Sequence, residues 1–128
     1  MRLGNWILAL AILPVWSSAY AANDCVVKEW SLARDVNDMK PVGIAQSFSS
    51  SDVSQVFVFA SLDCNAIDDA VVVKFDRDGK IVHEKQITIQ PANNYRLWTS
   101  VAAYPGKYRV TLEIRGALLN SDDFEVLP

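Results

Sequence analysis

Apolar and polar positions alternate with a period of two along most of the chain, and turn residues interrupt them at short intervals. That pattern belongs to strands with one face against a core and one in water. Residues 81–90 show it cleanly. Ile81, His83, Lys85, Ile87 and Ile89 fall on one side, and Val82, Glu84, Gln86, Thr88 and Gln90 on the other. In residues 107–115, Tyr108, Val110, Leu112 and Ile114 alternate with Arg109, Thr111, Glu113 and Arg115. Residues 53–62 differ, with Val53, Phe57 and Phe59 on one side and Val56, Val58, Ala60 and Leu62 on the other. Apolar side chains on both faces predict a central strand covered on both sides, or covered by a loop or a partner.

The remaining segments read as follows. Residues 25–33 alternate weakly. Residues 34–51 have little period and read as a connection that holds a short edge strand near 44–48. Residues 63–69 form a polar loop. Residues 70–75 and 80–90 flank Asp76-Arg77-Asp78-Gly79 and predict a hairpin in which Gly79 takes the left-handed conformation. Residues 95–100 form a further strand. Ala103-Tyr104-Pro105-Gly106 is a turn, Gly116 opens another, and a last strand reaches Val126 with a bend near 120–123. No segment has the period of a helix. About seven short strands, with turns every ~8–12 positions, predict an all-β, immunoglobulin-like antiparallel β-sandwich. A small closed barrel is the alternative.

The first stretch stands apart. Arg2 is the only charge before Asp24, an apolar run covers residues 6–15, and Ala19-Tyr20-Ala21 follows. This is the tripartite pattern of a secretory signal peptide, with cleavage expected after Ala21. The run is shorter than the ~20 residues that cross a bilayer, and no later segment is apolar for long enough. Asn23 and Asp24 separate Cys25 from the small residues, which argues against lipidation there. The expected organisation is a signal peptide at 1–21 and a single sandwich at 22–128, in a periplasmic or secreted protein.

Export changes the reading of the two cysteines. In an oxidising compartment Cys25 and Cys64 are expected to form a structural disulfide. Closing a loop of about 40 residues stabilises a fold by ~4 kcal/mol in the chain-entropy account. The spacing is not that of a redox Cys-x-x-Cys pair. The chain has 128 residues, 51% of them hydrophobic, and a net charge of -3. That supports one folded domain rather than disorder, and the acidic balance argues against a nucleic-acid partner. One His and two Cys are too few for a zinc or haem site built on several such ligands, and no cofactor is expected.

Candidate chemistry is sparse. His83 has neither an evident orienting partner nor a nucleophile signature nearby, so a half-buried structural role outweighs a catalytic one. The acidic groups are Asp35/Asp38, Asp63/Asp68/Asp69, Asp76/Asp78 and Asp122/Asp123. Asp76-Arg77-Asp78-Gly79 resembles a fragment of a calcium loop but lacks its third acidic position and closing Glu, so a hairpin turn is expected. The segments around Arg96-Leu97-Trp98 and Lys107-Tyr108-Arg109 flank one turn. Paired as a hairpin, they would set Trp98 opposite Arg109 and gather Arg96, Trp98, Lys107 and Arg109 into a sugar- or anion-binding strip. If the two strands lie in opposite sheets, the strip dissolves. Burial of Trp98 between the sheets is the favoured expectation.

Arg96-Leu97-Trp98-Thr99-Ser100, then Gly106-Lys107-Tyr108-Arg109-Val110, then Gly116 with Leu119, Phe124 and Val126, resembles the C-terminal half of a bacterial family, domain of unknown function 2914. The segment reaching Pro41-Val42 and the apolar strand over 56–60 are similar to its early part. Val73-Lys74-Phe75 stands where that family tends to carry a His and a Trp. The resemblance implies a β-sandwich and no established activity. The resulting expectation is an exported, non-catalytic module that binds an envelope protein or a glycan. The alternatives are a metal-binding or hydrolytic protein using His83 and the Asp loops, and an envelope assembly subunit that pairs through a sheet edge.

Overall fold

The computed structural model describes residues 25–64 and 69–128. The expected signal peptide lies outside the described residues, as does Asp68. Among the described residues nine strands form: β1 (Cys25–Asn37), β2 (Lys40–Ile44), β3 (Ser47–Ser49), β4 (Gln55–Cys64), β5 (Asp69–Arg77), β6 (Lys80–Ile89), β7 (Ala92–Ala102), β8 (Gly106–Ile114) and β9 (Ala117–Leu127). One sheet has the order β2-β1-β4-β7 and the other β3-β9-β8-β5-β6. Their inner faces pack as an immunoglobulin-like sandwich. β1 passes β9 along one side, and β7 passes β6 along the other.

The core follows the alternation. Val56, Val58, Ala60 and Leu62 of β4 meet Val71, Val73 and Phe75 of β5 and Val110, Leu112 and Ile114 of β8, all essentially inaccessible to water. Burying a Val, Leu, Ile or Phe side chain contributes about 1.5–3 kcal/mol. Short turns set the register. Asp78 and Gly79 close β5–β6, and Arg115 and Gly116 close β8–β9, both with left-handed backbone at the two central positions. That geometry matches the natural twist of a hairpin.

Tyr108 marks the passage from β7 to β8. Its hydroxyl lies 2.7 Å from the Tyr104 carbonyl and 3.2 Å from that of Ala102, and can donate to either. A tyrosine at the start of a strand that ties back to the preceding corner is a hallmark of immunoglobulin-like sandwiches. The ring itself stacks on Phe124, with centroids 4.7 Å apart.

The disulfide joins Cys25 and Cys64. The two residues are register partners on antiparallel neighbours β1 and β4, so the bond clips two strands of one sheet. Residues 34–51 depart from the expected connection. β1 continues to Asn37, turns at Asp38-Met39 with φ of 53° and 59°, and returns as β2. A non-glycine pair in left-handed backbone carries no strong turn signature, which hides this hairpin from pattern reading. The irregularity in β9 falls opposite Leu112 and Glu113, between Leu118 and Asn120, slightly before the expected bend.

The β1–β2 hairpin also explains the two-faced strand. β1 pairs with β4 only as far as Ala33 and beyond that with β2 alone. At the tip, Arg96 Nη1 of β7 donates to the Met39 carbonyl at 3.1 Å. β4 lies between β1 and β7, so the arm crosses the outer face of β4. Phe59 and Ser61, which point to that outer face, are accordingly buried at 1% and 0% exposure.

Candidate functional site: the seam between β6 and β7

β6 and β7 are the end strands of their respective sheets. Each is paired on one side only, to β5 and β4, so each presents one row of backbone groups away from its sheet. On β6, His83, Lys85 and Ile87 are the register partners of Phe75, Val73 and Val71 and share their inward face. A histidine and a lysine therefore stand at positions that continue a core face.

Two depressions follow this seam. The first, about 550 Å³, is bounded by Arg77, Val82, His83, Gln55, Ser100 and Tyr104, among others. Its walls are braced: the Arg77 guanidinium lies 5.5 Å from the Tyr104 ring centroid, and Ser100 Oγ donates to Gln55 Oε1 at 2.6 Å. Gly106 allows this approach, because a Cβ there would meet Arg77 Cγ and Asp78 Oδ2 at 2.9 Å. The second depression, about 280 Å³, lies between Lys85 and Ile87 of β6 and Tyr95, Arg96 and Trp98 of β7. Tyr104 is 63% exposed and Ile81, at the start of β6, 56%.

The expected aromatic-basic strip does not assemble. β7 pairs with β4 and β8 pairs with β5 and β9, so the two strands lie in different sheets. Trp98 faces Phe59 and Arg96 faces Ser61. Arg109 faces Asp123 across β8–β9 and Asp76 across β5–β8. The reason is topological: the Tyr108 corner sends the chain over the sandwich instead of back along the same sheet. Trp98 is not in the core either. It is 38% exposed on the outer face and stacks on Phe59 at 6.4 Å, with the rings 17° apart.

Lys107 and Arg109 belong to the other sheet. Arg109 holds Asp123 in a two-pronged pair, Nε to Oδ1 at 2.8 Å and Nη2 to Oδ2 at 3.2 Å. The hydrogen bond, then the opposite charge, lowers the Asp123 pKa below the ordinary carboxylate value and raises that of Arg109.

Asp76, Asp78 and Asp63 are engaged in local structure. Asp76 Oδ1 accepts from the Gly79 N–H and Asp78 Oδ1 from the Lys107 N–H, which makes this loop a capped hairpin turn. Asp63 accepts from the Asn94 N–H and pairs with Lys28 at 3.6 Å. Among the described residues, no three His, Cys, Asp or Glu side chains gather in a way that could hold a metal ion. His83 packs near Phe75, with ring centroids 6.0 Å apart.

Sequence reasoning placed Lys85 on the strand face of His83 but missed Arg77, Val82 and Tyr104 as its neighbours. Lys85 alone left a trace, as a cation on an otherwise apolar strand face.

No protein-family model matches the chain, the 2914 family included. No curated protein sequence matches it either. Solved structures do. An immunoglobulin-like protein from Pseudomonas aeruginosa superposes with a TM-score of 0.60 at 10% identity, covering 83% of this chain and 98% of its own. An alkylpurine DNA glycosylase from Pseudomonas fluorescens, solved bound to DNA with an abasic-site analogue, gives a TM-score of 0.55 at 12% identity. The match covers 88% of this chain but 35% of the glycosylase chain. At such identities the likeness is one of fold.

Proposed function

We propose that this protein is an exported, non-catalytic binding module that recognises a partner protein of the cell envelope through the β6–β7 seam. The observation that carries the reading is the meeting of two end strands along a groove walled by Val82, His83, Trp98 and Tyr104. Edge backbone groups other than the Thr88 carbonyl, which accepts from the Tyr95 hydroxyl, supply hydrogen bonds, and the depressions between the strands supply side-chain selectivity. Aromatic and Arg side chains are the residue types that anchor protein interfaces. The disulfide and the apolar start of the chain support export.

Photo-crosslinking in the cell envelope tests this. A photoreactive residue at Val82 is expected to give a discrete adduct with another protein, while one at the exposed Leu118 of β9 gives none. The reading fails if the two positions give the same products.

A glycan reading has one observation of its own, the exposed Trp98 indole beside Arg96. Stacking on a sugar ring would require that face, so saccharide binding that quenches Trp98 fluorescence and disappears in Trp98→Phe would favour it over the protein partner.

A further inference from the structure

We infer that the seam takes an extended, acidic segment of the partner, added as a strand along β6 with its carboxylates among the cations of the groove. The inference rests on the proposed binding role of the seam and specifies the chemistry of the occupant.

Charge complementarity carries it. The cations Arg77, Lys85 and Arg96 border the two depressions, and no Asp or Glu does. The chain as a whole bears a net charge of -3, so this seam opposes the sign of the whole molecule. A local cationic groove favours an anionic occupant and disfavours cationic ones. Strand geometry supplies the second argument. β6 runs ten residues, Lys80–Ile89, with most of its side chains exposed and one edge unclaimed by its sheet. A strand laid there alternates side chains with period two, sending every second one toward Lys85 and His83. A segment alternating acidic and β-branched residues meets both demands.

The same cations act against self-association. Inward-pointing charge on an end strand is a device that blocks edge-to-edge pairing. Two β6 edges brought together with inward faces aligned would carry Lys85 of each copy into one seam. An acidic strand removes that penalty, which makes the edge selective as well as protected.

Amide-resolved NMR titration of the exported, disulfide-bonded protein provides the test. The probe is a capped ten-residue peptide alternating Val and Glu. Saturable shifts are expected in β6 and β7, with binding at least ~10-fold weaker in Lys85→Glu. Lys85 is exposed, and unchanged thermal unfolding will show that the variant folds. The same peptide with alternate amides N-methylated should not bind, because it cannot form the ladder. The inference is overturned by the absence of saturable shifts up to about 1 mM, by equal binding of the Val-Lys counterpart, or by shifts centred elsewhere. It is equally overturned if a single-stranded DNA oligonucleotide binds the seam in preference to the peptide, or if β6 shifts with protein concentration alone. A Val82 crosslink without peptide binding would keep the seam as a binding surface and discard the acidic strand. Loss of both would discard both.

Discussion

Where β1 passes β9, an indole, an amide and a carboxylate lock the two sheets together; where β7 passes β6, a cation-lined groove stands between them. On the first side Trp30 Nε1 donates to Asp122 Oδ2 at 2.9 Å, and Gln46 Nε2 donates to Asp122 Oδ1 at 3.2 Å and to the Asp123 carbonyl at 2.8 Å. Gln46 lies on the connection from β2 to β3, so the chain that crosses between the sheets also stitches them. β3 then pairs in parallel with β9, and Phe48 meets Phe124 edge to face. On the second side the Tyr95 hydroxyl of β7 donates to the Thr88 carbonyl of β6 at 3.2 Å, with no carboxylate and no crossing chain beside it among the described residues. Its inward positions on β6 carry His83 and Lys85, which cannot continue an apolar core without cost. One side is built for cohesion and the other is left available.

This contrast predicts a gradient of mutational cost. The largest effect is expected from Cys64→Ala. It removes the covalent clip between β4 and β1, the wall of the closed side, and should lower stability by about 2–5 kcal/mol in chemical denaturation. Unaltered stability would mean that the clip adds nothing to that wall.

Asp122→Ala comes next. It strands the Trp30 N–H and loosens Gln46, so a loss of about 1–3 kcal/mol is expected in the same measurement. A change within ordinary surface scatter would erase the energetic difference between the two sides.

Trp98→Ala tests a residue beside the open seam. A core tryptophan costs ~3–5 kcal/mol on truncation. Trp98 is partly exposed and its main buried contact is Phe59, so about 1–2 kcal/mol is expected. A loss of the core size would place Trp98 in the packed structure and remove it from the seam.

Lys85→Gln should change stability by no more than about 0.5 kcal/mol, because the side chain is exposed and its proposed work is in binding. The smallest effect belongs to Asp123, whose side chain lies outside both seams. Its folded pKa is depressed by Arg109, so the stabilisation it adds is present above the unfolded carboxylate value and is lost as pH falls through the folded value. An NMR titration of the Asp123 carboxyl should show a midpoint below that of an unstructured Asp, and Arg109→Gln should restore the ordinary value.

Much of this protein was legible from local pattern. Period-two alternation is enforced by the pleat, so Tyr108, Val110, Leu112 and Ile114 announced a core face without a partner in view. Gly79 and Gly116 announced hairpins because left-handed backbone penalises a Cβ. The expected export and two cysteines pointed to the disulfide, and antiparallel pairing of β1 with β4 provided its geometry. What only tertiary structure decided is which strands are neighbours. Sequence proximity placed Trp98 beside Arg109, but the chain crosses between sheets at Tyr108, so the residues of that strip part and Arg96 and Trp98 join Lys85 instead. The apolar outer face of β4 announced that something covers it; only the fold identified the β1–β2 arm. Strand order is settled by long-range packing and the twist of two sheets, quantities to which no single window of residues is bound. For that reason the core could be read along the chain, while the seam exists only once the sheets have closed more tightly on one side than on the other.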